Sequence, residues 1–289
     1  MKALAFAPGH ISAFFEPVYY NQNPARSGSR GAGICLSLGA KSQVFVQNAV
    51  SQSIDVLINN KKTNAVVTNL AVKHLIGSSP LRISINTILD LPMGQGFGMS
   101  GAGALSSAIA LAKVLNIPKE NAVKASHYAE VELRTGLGDV LSSSFGGVEI
   151  RREAGLPPWG MIEHIPGTYD IVLCVIGKKI DTRKVLTDPL KINALGSYGR
   201  YCTKKILEKP SLEHLFFLSQ KFTQEIGFAD NKVLQAIKAA NQYGMASMCM
   251  LGNSVFAVGD TTALCNTLTK FGKVYVCPID KYGAQLLHH

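Results

Sequence analysis

The sequence predicts an α+β protein of two domains. Three observations carry this expectation. The chain has 289 residues, too long for one small core. Short apolar runs of strand type are interleaved with segments of helical spacing, the order expected when helices pack on sheet faces. Between residues 153 and 167 stand Pro157, Pro158 and Pro166, a stretch that reads as a junction. The expected domains are therefore 1–155 and 156–289.

The elements follow in order. Alternation over 3–7 predicts a strand that ends at Pro8-Gly9, and a loop rich in Gly, Ser and Arg covers 23–33. Short apolar runs at 34–38, 43–47 and 54–58 predict three more strands. Val66, Leu70 and Leu75 share related faces of a helix over 65–76. Ile83, Ile85 and Ile88 alternate with polar residues in a strand over 81–91, which Pro92 stops. A glycine-rich stretch leads into a helix over 104–115, rich in Ala, Leu and Ile. Asn116-Ile117-Pro118 breaks it, and Pro118 suits the start of a helix over 119–133. A second glycine-containing loop, 136–147, precedes a strand at 148–151. Beyond the junction come a buried strand at 170–176, several helices within 190–243, strands at 246–251 and 255–258, a helix at 261–271 and a last strand at 274–277.

Composition narrows the function. Hydrophobic residues make up 47% and charged residues 17%, which is a folded, not a disordered, chain. The net charge of +10 favours anionic partners. The basic residues are scattered and do not alternate with aromatics, which argues against nucleic acid and for small anions. None of the six cysteines forms a C-x-x-C pair, so a reduced, cytoplasmic setting is expected. Pro8-Gly9-His10 interrupts the apolar start, unlike a signal peptide, and no apolar run is long enough for a bilayer. His288 and His289 are set aside.

The chemistry concentrates in Pro92-Met-Gly-Gln-Gly-Phe-Gly-Met-Ser-Gly-Ala-Gly103. Glycine lets backbone N–H groups approach an anion, and the following helix presents free N–H groups and the positive end of its dipole. The candidate phosphate ligands are Pro92, Gly94, Gly96, Gly98, Ser100, Gly101, Ala102 and Gly103. The Ser100 hydroxyl can also reach a bound Mg²⁺. Gly96-x-Gly98-x-x-Gly101 formally matches a dinucleotide fingerprint, but the acidic residue that should close a second strand is absent, because Glu120 opens a helix. No Gly-Lys-Ser/Thr follows, so the pattern is not a Walker A loop. A tight turn would also use glycine, yet five exceed what packing needs.

These residues resemble the second motif of the GHMP kinases, the group of galactokinase, homoserine kinase and mevalonate kinase. Ser100 matches the second serine of that motif, and Met99 replaces the first. Ala7-Pro8-Gly9-His10 is similar to the N-terminal motif, and Met250-Leu-Gly-Asn-Ser-Val-Phe-Ala257 to the C-terminal one. Within the family the likeness is greatest to archaeal pantoate kinases, on Pro8-Gly9-His10, on Gly28–Gly33 and on Thr135-Gly-Leu-Gly-Asp-Val140. The resemblance implies an N-terminal domain with a left-handed βαβ crossover and a ferredoxin-like C-terminal domain. It implies ATP and Mg²⁺ as cofactors and a small anionic hydroxy acid (pantoate) as the phosphate acceptor, in coenzyme A synthesis. It leaves room for a homodimer. Kinases of shikimate, homoserine or mevalonate, and a related decarboxylase, are the alternatives on the same fold.

Phosphoryl transfer needs charge neutralisation, in-line positioning and sometimes a base. Asp139 matches the Ser/Thr-Gly-x-Asp loop of the family with one extra residue, and is the candidate base. Glu130 is the candidate Mg²⁺ ligand beside Ser100; Glu132, two residues on, points to another helix face. His10 stands where many relatives carry Lys. It helps neutralise charge only if protonated, and otherwise falls to the substrate. Arg26 and Arg30 suit a substrate carboxylate. Gly252, Asn253 and Ser254 are expected at the substrate or phosphates. Asp181-Thr182-Arg183 is the least supported segment assigned to the cleft.

Overall fold

The computed structural model describes residues 1–20 and 23–287; His288 and His289 lie outside it. The first two strands, β1 (Lys2–Val18) and β2 (Gly28–Asn48), form one long antiparallel hairpin. The strand expected to stop at Pro8-Gly9 continues. The pairing register shifts between Pro8 and Gly9, so the missing proline N–H falls at an irregularity in the ladder. The separate strands expected at 34–38 and 43–47 are likewise one element. Gly39 does not break it, because a Cβ there would overlap Ala7 O and the Phe6 ring.

Next come β3 (Ser53–Ile58), the short β4 (Lys61–Lys62), α1 (Val66–Ile76) and β5 (Leu81–Leu89). β3 and β5 run parallel with α1 between them, the βαβ unit of the domain. Then follow α2 (Met99–Leu115), α3 (Lys119–Leu133), α4 (Asp139–Phe145) and the hairpin β6 (Val148–Glu153) to β7 (Met161–Ile165). Every residue of α2 from Gly101 to Ala112 is buried, as expected of a helix apolar on all sides. It packs on β1 and β2 between α1 and α3.

The rest of the chain is β8 (Asp170–Val175), α5 (Thr182–Leu186), α6 (Pro189–Glu208), α7 (Leu212–Ile226), α8 (Asn231–Ala240), β9 (Gly244–Met248), β10 (Ser254–Gly259), α9 (Thr261–Leu268), β11 (Lys273–Pro278) and β12 (Gln285–Leu287). Two sheets result. The larger has the order β12-β1-β2-β5-β3-β4, with β6 and β7 continuing from the other half of β2. The smaller is antiparallel with the order β11-β8-β10-β9. Its βαββαβ course in that order is ferredoxin-like. The α+β class expected from the sequence is therefore the observed one. The proline-rich stretch spans the β6–β7 turn, which holds Pro157 and Pro158, and β7 itself, which Pro166 follows; β7 still belongs to the large sheet.

One continuous apolar core joins the two sheets. Phe14 and Phe15 of β1 both meet Phe222 of α7, with ring centroids 6.4 Å apart. No helix among the described residues is long and apolar enough to cross a membrane.

Candidate active site

The glycine-rich stretch leaves β5 and turns at Gly94, Gly96 and Gly98, with φ of +75°, +77° and +61°. L side chains avoid that region, so these turns require glycine. Gly98 is the N-cap residue of α2 and supplies no side-chain acceptor. By contrast α5 to α9 are all capped, by Asp181, Asp188, Ser211, Asp230 and Asp260. The start of α2, like those of α1, α3 and α4, has no side-chain cap, and it is at α2 that the glycine turns gather.

A cleft opens at this point. Gly94, Gly96, Phe97, Gly98, Met99 and Ser100 form one wall, and Thr135 to Asp139 another. Ser12, Phe15, Ser29, Thr182, Leu186, Met250 and Leu251 complete it. The helix expected from 104 begins earlier, at Met99. Ala102 N donates to Gly98 O inside it, at 2.9 Å. Of the residues expected at the phosphates, Gly94, Gly96, Gly98 and Ser100 line the cleft, and Pro92, Gly101, Ala102 and Gly103 do not.

The three sequence motifs meet here. His10 N donates to Phe97 O at 3.0 Å, and Met250 N donates to Ser12 O at 3.2 Å. Gly252 lies against Gln95 and Gly96 so closely that a Cβ would overlap the Gln95 carbonyl. Ser254 is buried and its Oγ donates to Gln95 O. Asn253 Nδ2 donates to Lys178 O at 2.8 Å. Gly252 and Ser254 therefore buttress the glycine loop from behind, Asn253 holds the 176–178 segment, and the cleft is lined instead by Met250 and Leu251.

Asp139 is the first residue of α4 and lines the cleft with its side chain 25% exposed. Its Oδ1 lies 2.7 Å from His10 Nδ1. His10 is wholly buried, and its Nε2 lies 2.9 Å from Glu149 Oε1. Both ring nitrogens are thus occupied, so His10 touches Asp139 and not the substrate. Burial pulls the His10 pKa down, but hydrogen bonds and charge from Asp139 and Glu149 outweigh it, and the net shift is upward. Arg151 Nη1 donates to Glu149 Oε1 and to Ser142 Oγ, and Nη2 donates to Ser12 Oγ at 3.3 Å. Burial pushes the Glu149 pKa up; Arg151 and His10 more than reverse it, and the carboxyl ends below its ordinary value.

Glu130 ends up buried behind α2 and the 135–139 loop. Its carboxylate fills the space where a side chain at Gly101 or Gly136 would sit, and Oε2 accepts from Val140 N at 3.4 Å. Burial, and then the charge of Asp139, hold its pKa well above the ordinary range. Glu132 faces away, 3.2 Å from His74 Nε2.

The arginines expected at the substrate lie elsewhere. Arg30 belongs to β2, not to a loop, and pairs with Glu153 at 2.7 Å and Glu16 at 3.8 Å. Arg26 stacks over the Tyr20 ring, 4.3 Å from its centroid. Neither lines the cleft. Ser29 and Thr135 fall within the Gly28–Gly33 and Thr135–Val140 motifs, whereas Ser12, Glu149 and Arg151 were not expected; Arg151 is buried behind the cleft wall. Its Nε has no partner among the described residues and lies under Gly138 beside Ser29. One signal was available: Glu149 and Arg151 are two apart in a predicted strand, hence on one face. Thr182, from the least supported segment, does line the cleft.

Comparison with known proteins bears on this geometry. The family model described as GHMP kinases N terminal domain matches residues 63–147. The chain is 32% identical to a pantoate kinase of Methanocaldococcus jannaschii over 276 residues, covering 95% of this chain and 99% of that one. It is 30% identical to a pantoate kinase of Thermococcus kodakarensis, covering 89% and 88%. A solved structure titled a phosphotransferase related to the CoA biosynthesis pathway superposes with a TM-score of 0.89 at 26% identity, covering 99% and 98%.

Proposed function

The chain belongs to the GHMP kinase family, and on that premise we propose that it transfers the γ-phosphoryl group of ATP to the primary hydroxyl of pantoate, giving 4-phosphopantoate for coenzyme A synthesis. One observation carries the reading at the site. Asp139 lies against Gly98 at the uncapped start of α2 and both line one cleft, so a base and a phosphate cradle share one space.

The roles follow from the geometry. Backbone N–H groups of Gly94–Ser100 receive the phosphates, as glycine turns and a free helix start favour. Asp139 takes the proton of the acceptor hydroxyl as its oxygen bonds to the γ-phosphorus and the bridging P–O bond breaks toward ADP. His10 holds Asp139 in place. Ser12 and Ser29 line the cleft and offer hydroxyls to the substrate carboxylate, with the buried Arg151 behind them as a source of positive charge.

Ser100 and Glu130 are the residues that would hold Mg²⁺. A buried carboxyl without a cationic partner, next to the cradle, suits an ion that takes few protein ligands and completes its shell on phosphates. Mg²⁺ bound there neutralises charge on the transferring group. In this reading residues 1–155 supply the cradle and the base. Residues 156–289 brace them and lend β7 and β12 to the large sheet. A cytoplasmic homodimer completes the proposal.

The test is release of ADP from Mg-ATP with pantoate, shikimate, homoserine or mevalonate as acceptor. Turnover with pantoate well above the others is expected, and none with pantoate rejects the assignment. Asp139→Asn should lower kcat by about 10²- to 10⁴-fold while ATP still binds. Full activity in that variant would remove Asp139 as the base.

A further inference from the structure

We propose that Glu149 is a positioning residue that keeps His10 an imidazolium, so that His10 acts as a fixed cation behind Asp139. The inference rests on Asp139 as the base and adds a residue that never touches substrate.

The argument starts from hydrogen-bond capacity. His10 Nδ1 lies 2.7 Å from Asp139 Oδ1, and Nε2 lies 2.9 Å from Glu149 Oε1. An ionised carboxylate only accepts. Both ring nitrogens must then carry hydrogen, which only the imidazolium does, unless one carboxyl is protonated. Glu149 is not the group to hold that proton. Arg151 Nη1 donates to the same Oε1, and Arg151 is wholly buried, so it requires a charged partner. Asp139 keeps part of its side chain in the cleft, within reach of water. Two carboxylates and two cations cancel, and the cluster is neutral only with His10 charged.

The one competing charge is Arg151, whose Nη1 lies 3.3 Å from His10 Nε2; the two share Glu149 Oε1, so the Glu149 carboxylate offsets both. Across the β1–β2 hairpin His10 faces Cys35, whose thiol burial pushes well up and keeps neutral. The ring edge meets the bare backbone of Gly33, where a Cβ would overlap Nε2. From β6 it meets Glu149 and Arg151, and from α4 Asp139. Removing the Glu149 charge takes away one of the two carboxylates that hold the proton, and His10 then loses it at lower pH.

For the reaction this means that His10 transfers no proton. It holds Asp139 Oδ1, leaving Oδ2 for the hydroxyl, and it balances the negative charge that base and phosphates bring together.

The direct measurement is ¹⁵N NMR of protein labelled at histidine. In the unmodified protein both His10 nitrogens should show imidazolium shifts from about pH 6 to 8. A neutral ring near pH 7 overturns the proposal, and the reading is independent of turnover, so it fails or stands apart from the pantoate assignment. Glu149→Gln should move the alkaline limb of the kcat profile to lower pH. At the upper end of that range kcat should fall by about 10- to 100-fold, with KM for ATP little changed. Adding His10→Lys should restore activity there, since a lysine needs no second carboxylate to stay charged. An unmoved alkaline limb in a folded Glu149→Gln protein, or no rescue by lysine, would count against the role.

Discussion

Gly96 and Gly103 belong to one glycine-rich stretch but meet different demands. Gly96 has φ of +77°, and a Cβ would stand 2.9 Å from the carbonyl oxygens of Cys249 and Met250. Gly96→Ala should destabilise the protein by about 1–3 kcal/mol and weaken ATP binding, read by denaturant unfolding and nucleotide titration. Gly103 sits in helical backbone with its nearest neighbours 3.7 and 3.9 Å from an added Cβ. Gly103→Ala should raise stability by about 0.5–1 kcal/mol. The sequence placed both in the phosphate cradle, because glycine spacing does not reveal which residues the helix has already taken. Ser100 and Asp139 were legible as cleft residues because their types and motif spacing point to phosphate chemistry. Glu149 and Arg151 were not, since a charged pair in a strand reads as solvated until burial is known. Their state has a pH signature. His10 has a raised pKa, so its contribution to stability is full below about pH 6.5 and is lost as pH rises through its folded value. Glu149 has a lowered pKa, so its contribution is present above about pH 4.5 and lost as pH falls through its folded value. Thermal melts should therefore weaken toward both ends of the scale, and His10→Lys should soften the alkaline loss.

Among the elements, α2 and α8 contrast in how their first turns are satisfied. Asp230 accepts from Val233 N at 2.8 Å and caps α8 far from the cleft. Asp230→Ala should cost about 0.5–2 kcal/mol in unfolding and leave kcat unchanged. No such side chain serves α2, whose N-cap residue is Gly98. Long periodic segments such as α1 and α3 were readable almost to the residue. The start of α2 was missed by five residues because glycine disfavours helix locally, while burial beneath β1 and β2 overrides that preference. α4 was hidden for the same reason, seven residues long and framed by Gly138 and Gly146. The short strands β4, β7 and β12 carry too little pattern to announce themselves, and their partners lie far away in sequence.

At the scale of the whole molecule, the smaller sheet grips the glycine loop at several points. Ile180 N donates to Gly94 O at 2.9 Å, Gln95 Nε2 donates to Gly177 O at 3.0 Å, and Ser254 Oγ reaches Gln95 O. Gly252→Ala, which touches no substrate in the proposed reaction, should push this loop away. Weaker ATP binding is expected by calorimetry, with a lower melting temperature; unaltered binding would mean that the grip is incidental. The likeness of the ends of the chain to the family motifs made the two-part plan legible, but not this contact, which depends on side chains that meet only after folding. The last described strand has a different consequence. β12 pairs with Leu4, Ala5 and Phe6 of β1 through Leu287, Leu286 and Gln285. A ribosome therefore delivers this edge strand after every other described strand. Until then the nascent hairpin carries an open backbone rim on β1, a place for a chaperone or a mispaired neighbour. Cutting the gene between its halves would leave that rim open for good, whereas joining the neighbouring ends and opening the chain at an exposed loop would keep it covered.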